Sequence, residues 1–352
     1  MENFWIGGIS QVGIYAIFSI LLAASFRRGG GRWLTLISGV IFALLFEHVN
    51  VVRYANLKGG YHYHPNSWLW LAGDVPLYIP LAWGCLLLSS LTLTDRLHLK
   101  PWARPFCDAL LALLIDFSLD IVAIRFHFWT WQGVRFDEGF FGVPADNFFG
   151  WLLVSFAFSV LIRWLESQEL FQLPVLALPK FSMRKGELTI VAYCAAIPLL
   201  AQILYLALEK VVIVSYWLVH AVTLGDQLKV LWGTVFLFLA TTICSGKTKS
   251  PPTTHLPSAS EPKSYFALLH CSRHAFHLFG VAGLFYLTAN GVTRDPSLWL
   301  VTGVVWGVEC LVFLAIYLDS NNINRQQTQP PEDGEINIGV ESQLENNKNV
   351  AL

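Results

Sequence analysis

Runs of apolar residues about 20 long, broken by short polar or charged stretches, recur along the chain as far as Leu318. Each is long enough to cross the hydrocarbon core of a bilayer as one helix. Nine are countable, at about 4–26, 33–52, 75–93, 106–124, 147–165, 188–208, 228–244, 265–289 and 296–318. The pattern predicts an all-α fold, a polytopic transmembrane helix bundle of about nine spans, with eight to ten compatible with it. Residues 211–224 (VVIVSYWLVHAVTL) are apolar but short, and read as an interfacial or re-entrant piece. Basic residues favour nine over ten. Arg27, Arg28, Arg32, Arg96, Lys100, Arg104, Arg163, Lys180, Arg184, Lys185, Lys247, Lys249 and Lys263 gather on one side, which places that side in the cytoplasm and the N-terminus outside.

The polar stretches divide the chain. Residues 1–244 form the main bundle, and 245–264, rich in Ser, Thr, Pro and Lys, read as a flexible linker. Residues 265–319 make a C-terminal transmembrane hairpin with a cytoplasmic C-terminus. Residues 320–352, rich in Asn, Gln and Glu, read as a disordered polar tail. Of the 352 residues, 55% are hydrophobic and only 13% charged, which a soluble domain rarely reaches. The first run has no basic residue ahead of it and is long enough to span, so it reads as an anchor rather than a cleaved signal. A net charge of −1 with dispersed basic residues points to membrane lipid rather than nucleic acid as a partner. The six cysteines form no close pair, so they suggest neither a disulfide framework nor a zinc site. Glycine-rich phosphate loops, GxSxG and HExxH are absent.

Acids inside apolar runs change the picture, because an intramembrane carboxyl costs free energy unless it is satisfied or used. Asp116 and Asp120, spaced i,i+4, share one face of the fourth run, with Asp108 two turns away on the same stripe. Glu47 lies near the outer end of the second run. At 1.5 Å per residue, Glu47 and Asp120 come about 6–8 Å, and Asp116 about 12 Å, below the outer interface. Carboxyls that close in a low dielectric cannot all ionise, so at least one keeps its proton. Such a group suits acid catalysis on an alkene; a polar network tying helices together is the other reading. Two aromatic loops, 59–65 with Tyr61 and Tyr63 and 126–141 with Trp129 and Trp131, fall on the same side, where aromatic faces can stabilise a cation. His270, His274 and His277 share a helical face and offer a rival, metal-dependent oxidoreductase. His62 and His64 lie on the opposite side of the membrane and cannot join them, so no metal is expected.

Between residues 41 and 165 the order of motifs is distinctive. Glu47 is followed by Gly60-Tyr61-His62-Tyr63, then by Val75-Pro76-Leu77-Tyr78-Ile79-Pro80-Leu81-Ala82-Trp83. Asp116-x3-Asp120-x-Val122-Ala123, Phe128-Trp129-x-Trp131 and Gly142-Val143-Pro144-x2-Asn147-Phe148-x-Gly150-Trp151 complete it. This stretch resembles the membrane-bound carotenoid biosynthesis hydratases, among them the gamma-carotene 1'-hydratases and bisanhydrobacterioruberin hydratases. The resemblance implies addition of water across the terminal C1–C2 double bond of a linear carotenoid end group. A carotenoid or other isoprenoid would be the substrate, carotenoid-modifying enzymes possible partners, and the plasma or an internal photosynthetic membrane the location. No cofactor is implied, because hydration is redox-neutral. Asp116 or Asp120 would act as acid and Glu47 as water-activating base, with the roles exchangeable. Trp129, Trp131, Tyr61 and Tyr63 would face the cation, Asn147 would position water, and Trp83 and Trp151 would contact substrate. A non-catalytic carotenoid- or lipid-binding protein and a small transporter stand as alternatives.

Overall fold

The computed structural model describes residues 2–28, 31–64, 67–71, 73–168, 188–246 and 263–328. The long helices are α1 (Glu2–Arg28), α2 (Arg32–Tyr54), α3 (Tyr78–Asp95), α4 (Arg104–Ala123) and α5 (Ala145–Ser167). They are followed by α6 (Leu188–Leu218), α7 (Leu224–Cys244), α8 (Lys263–Ala289) and α9 (Pro296–Thr328). Six of them, α1, α2, α5, α6, α7 and α9, are long and apolar enough to cross a membrane. The other three expected spans, α3, α4 and α8, are helical as well, each with polar positions of its own. Asp108, Asp116 and Asp120 lower the hydropathy of α4, a Thr-Leu-Thr-Asp end that of α3, and Arg273 with three histidines that of α8. All-α architecture therefore holds, and among the described residues six of the nine expected spans are helices of crossing length and apolarity.

The short apolar stretch at 211–224 is not a separate piece. Nothing between residues 208 and 211 breaks the helix, so 211–218 extend α6. A turn through His220, at φ 52°, leads to Thr223, which caps α7 by a reciprocal bond with Asp226. Near its start α6 carries a π-helical turn, Ala192–Ala196. Pro198 has no N–H to continue the ladder, and the Ile197 N–H reaches back to the Ala192 carbonyl. Of the expected linker, residues 247–262 lie outside the described residues, as do 329–352 of the expected tail; α9 itself runs past residue 320 to Thr328. The chain forms two compact units, Met1–Gly307 and Val308–Leu352.

Within the first unit, α2 and α3 pack at glycine. A Cβ on Gly84 would lie 2.6 Å from Val40 Cγ2 and 3.1 Å from the Leu36 carbonyl oxygen. One end of the packed helices is held by buried charge. Arg163 of α5 donates to Asp95 at 2.7 Å and to Asp108 at 2.7 and 3.0 Å, while Arg32 of α2 donates to Asp95 at 3.0 Å. Asp108 thus belongs to this cluster, although it shares a stripe of α4 with Asp116 and Asp120.

Four short strands complete the unit. β1 (Tyr61–Tyr63) pairs antiparallel with β4 (Trp129–Trp131), and β2 (Trp70–Leu71) with β3 (Val75–Pro76). What reads in sequence as two aromatic loops is thus one ribbon. Tyr61 stands opposite Trp131 and Tyr63 opposite Trp129. Alternation places these four rings on one face and sends His62 and Thr130, bonded to each other at 2.8 Å, to the other.

Candidate active site

Glu47, buried in α2, accepts three side-chain donors. Its Oε2 takes the Tyr61 and Tyr63 hydroxyls, the latter at 2.7 Å, and its Oε1 takes the Trp83 indole N–H at 2.8 Å. The ribbon and α3 therefore aim the carboxyl together. Burial, and then the Glu47 charge, push both phenols well above the usual tyrosine range, so they stay protonated and keep donating. A carboxylate offers about four acceptor positions, so one on Oε1 is left for something else.

The second acidic group is on α4. Asp116 and Asp120 are fully buried, and Asn147 near the start of α5 donates to Asp116 Oδ2 at 3.0 Å and to Asp120 Oδ2 at 2.6 Å. Both amide hydrogens of Asn147 are committed to the pair, which it bridges, while its carbonyl oxygen keeps its accepting capacity. Sharing one donor nitrogen, the two carboxyls are close neighbours, and the Oδ1 atom of each is buried without a hydrogen-bond partner.

Glu47 and Asp120 open onto the same cavity, of about 230 Å³. Asp116 sits behind Asp120 and does not line it. Tyr61, Tyr63, Trp129, Trp131, Trp83, Trp151 and Asn147 all contribute to the wall. Trp83 and Trp151 lie with centroids 4.0 Å apart and planes tilted by 35°, and Tyr61 meets Trp131 edge-on at 4.9 Å. Every residue expected at the site is therefore around this cavity, or directly behind it in the case of Asp116.

Sequence reasoning missed the opposite wall. Tyr205, Glu209, Val212 and Tyr216 of α6 recur at helical spacing and face the cavity. Tyr205 accepts from Asn50 at 3.2 Å; Glu209 takes the Arg53 guanidinium at 2.6 Å and the Tyr54 hydroxyl; Tyr216 donates to Asp146 at 2.9 Å. The one available signal was Glu209, which with Lys210 separates the run ending at 208 from the apolar stretch 211–224; joined into one helix, it becomes an acid in apolar surroundings like Glu47. The histidines lie elsewhere. His270 and His274 approach at 3.0 Å between ring nitrogens, and His274 Nδ1 accepts from the Trp306 indole at 3.1 Å. Among the described residues no group of three or more His, Cys, Asp or Glu is arranged to hold a metal ion.

Comparison with curated proteins and with solved structures gives no match. A family model described as "Carotenoid biosynthesis protein" matches residues 8–219. That range is wider than the 41–165 suggested by motifs, and its far end takes in α6, the wall that the motifs do not reach. Covering well over half of the 352 residues, and all of the cavity, the match establishes that this chain belongs to the carotenoid biosynthesis protein family.

Proposed function

We propose that the protein adds water across the terminal C1–C2 double bond of a linear carotenoid end group. The observation that carries this reading is one cavity faced by two carboxyls in different settings. Asp120 is paired with Asp116 and bridged by Asn147, while Glu47 is held by three donors. Two buried acids held on one amide cannot both ionise in a low dielectric, so the pair keeps a proton and can donate it. Three donors stabilise charge on Glu47, which makes it a base. Asp120 gives its proton to C2, and the π electrons of C1=C2 form the new C–H bond, leaving a tertiary cation at C1. The rings of Trp129, Trp131, Tyr61 and Tyr63 surround that charge. Water attacks C1 as its proton passes to the open position on Glu47, and return of that proton to the Asp pair closes the cycle. The net change is one water added, with no electron transferred. In this reading the cavity opens toward the outer side of the membrane.

Expression in a host that accumulates lycopene or gamma-carotene, with pigments resolved by chromatography and mass spectrometry, tests it. Wild type is expected to give a pigment one water heavier, and Asp120→Asn and Glu47→Gln each to lose it while still inserting. A wild type that retains pigment of unchanged mass would identify a carotenoid-binding protein instead.

A further inference from the structure

The cavity is too small for the molecule it is proposed to act on. Sites that enclose a drug-sized ligand measure about 300–1,000 Å³, whereas this one measures about 230 Å³. A carotenoid end group fits, and the polyene must then lie outside. Of the residues lining the cavity, three are exposed: Lys58, Asp146 and Ile213. The first two are charged and form a polar lip with Glu209 and Tyr54 behind it. Ile213 is apolar and 46% exposed, and it stands on α6 beside Val212, which also lines the cavity. The same end of α6 exposes Val211, Val214, Trp217 and Leu218, a surface suited to lipid and unsuited to water.

We propose that Ile213 is the threshold over which the polyene leaves the cavity into lipid, while water reaches the carboxyls past the polar lip at Lys58 and Asp146. This rests on the carotenoid reading of the cavity, and it makes Ile213 a determinant of whether a polyene is held at all. Two chemically opposite co-substrates thus reach one site over neighbouring parts of its mouth, since Ile213 stands one turn of α6 from Tyr216, which donates to Asp146.

The test uses the purified full chain in lipid nanodiscs loaded with lycopene, scored by pigment bound per protein. Ile213→Trp should retain at least tenfold less pigment than wild type, and Ile213→Phe an intermediate amount. Val214→Trp, on the neighbouring outward-facing position, should retain the wild-type amount. Equal retention by Ile213→Trp and wild type overturns the threshold, as does equal loss in both tryptophan variants, or a wild type that holds no polyene. The mass of the bound pigment is read separately. Wild type holding unhydrated lycopene, with the loss confined to Ile213, would overturn hydration and leave the threshold standing.

Discussion

At the scale of single residues, the site depends on who donates to whom. Asn147 is the only side chain bonded to both Asp116 and Asp120 among the described residues. A hydrogen bond to a charged group contributes about 1.5–3 kcal/mol, or roughly ten- to a hundredfold in rate. Asn147→Leu is therefore expected to lower hydration by that factor while pigment retention stays high; turnover equal to wild type would remove Asn147 from the mechanism. The tyrosines give a pH prediction. Their phenols are raised in the folded state, so their contribution to stability is complete below the ordinary tyrosine value of about 10 and is lost only as pH climbs beyond it. An ultraviolet titration should show the double variant Tyr61→Phe/Tyr63→Phe with the same phenolate signal as wild type near pH 10. A signal lower by two phenols would show that both were free to ionise. Glu47, Asp116 and Asp120 were legible in the sequence because acids are rare in apolar runs. Their exact partners were not. Tyr205 and Glu209 meet α2 across 155 and 156 residues of chain, and no local pattern announces such contacts.

At the scale of elements, helix positions followed the apolar runs closely, because a run of crossing length leaves the backbone little choice but helix. The ribbon was hidden for the opposite reason. Three-residue strands are too short for a period of two to stand out, even though Tyr-His-Tyr and Trp-Thr-Trp each display it. The α2–α3 contact supplies a mechanical test. Gly84→Leu must displace Val40 or the α2 backbone, and overpacking of this kind costs about 1–3 kcal/mol. Gly13 of α1 has nothing within 4 Å of its missing Cβ, so Gly13→Leu should be neutral. Thermal unfolding in detergent should separate the two. Equal melting temperatures would mean that α2 and α3 tolerate a wider spacing.

At the scale of the whole first unit, charge sits at one end of the helices and chemistry at another level. The Arg32, Asp95, Asp108 and Arg163 cluster joins α2, α3, α4 and α5, the helices that carry Glu47, Trp83, the aspartates and Asn147. Removing one partner of a buried ion pair costs about 3–5 kcal/mol. Arg163→Met should accordingly lower thermal stability sharply, with Arg163→Lys recovering part of it. No change in unfolding temperature would reduce the cluster to a bystander.

The hydrogen-bond partners of the buried acids also carry information about the order of assembly. Glu47 finds Tyr61, Tyr63 and Trp83 within 36 residues downstream, and Asp116 and Asp120 find Asn147 within 31. A ribosome delivers chain from the N-terminus, at about 5–20 residues per second. Glu47, Asp116 and Asp120 are thus supplied with partners seconds after they emerge, well before α6 exists to close the other side. Of the acids that α2 to α5 bring to the cavity, Asp146 alone waits for α6, whose Tyr216 it accepts from, and the arrival of α6 turns a groove into a chamber.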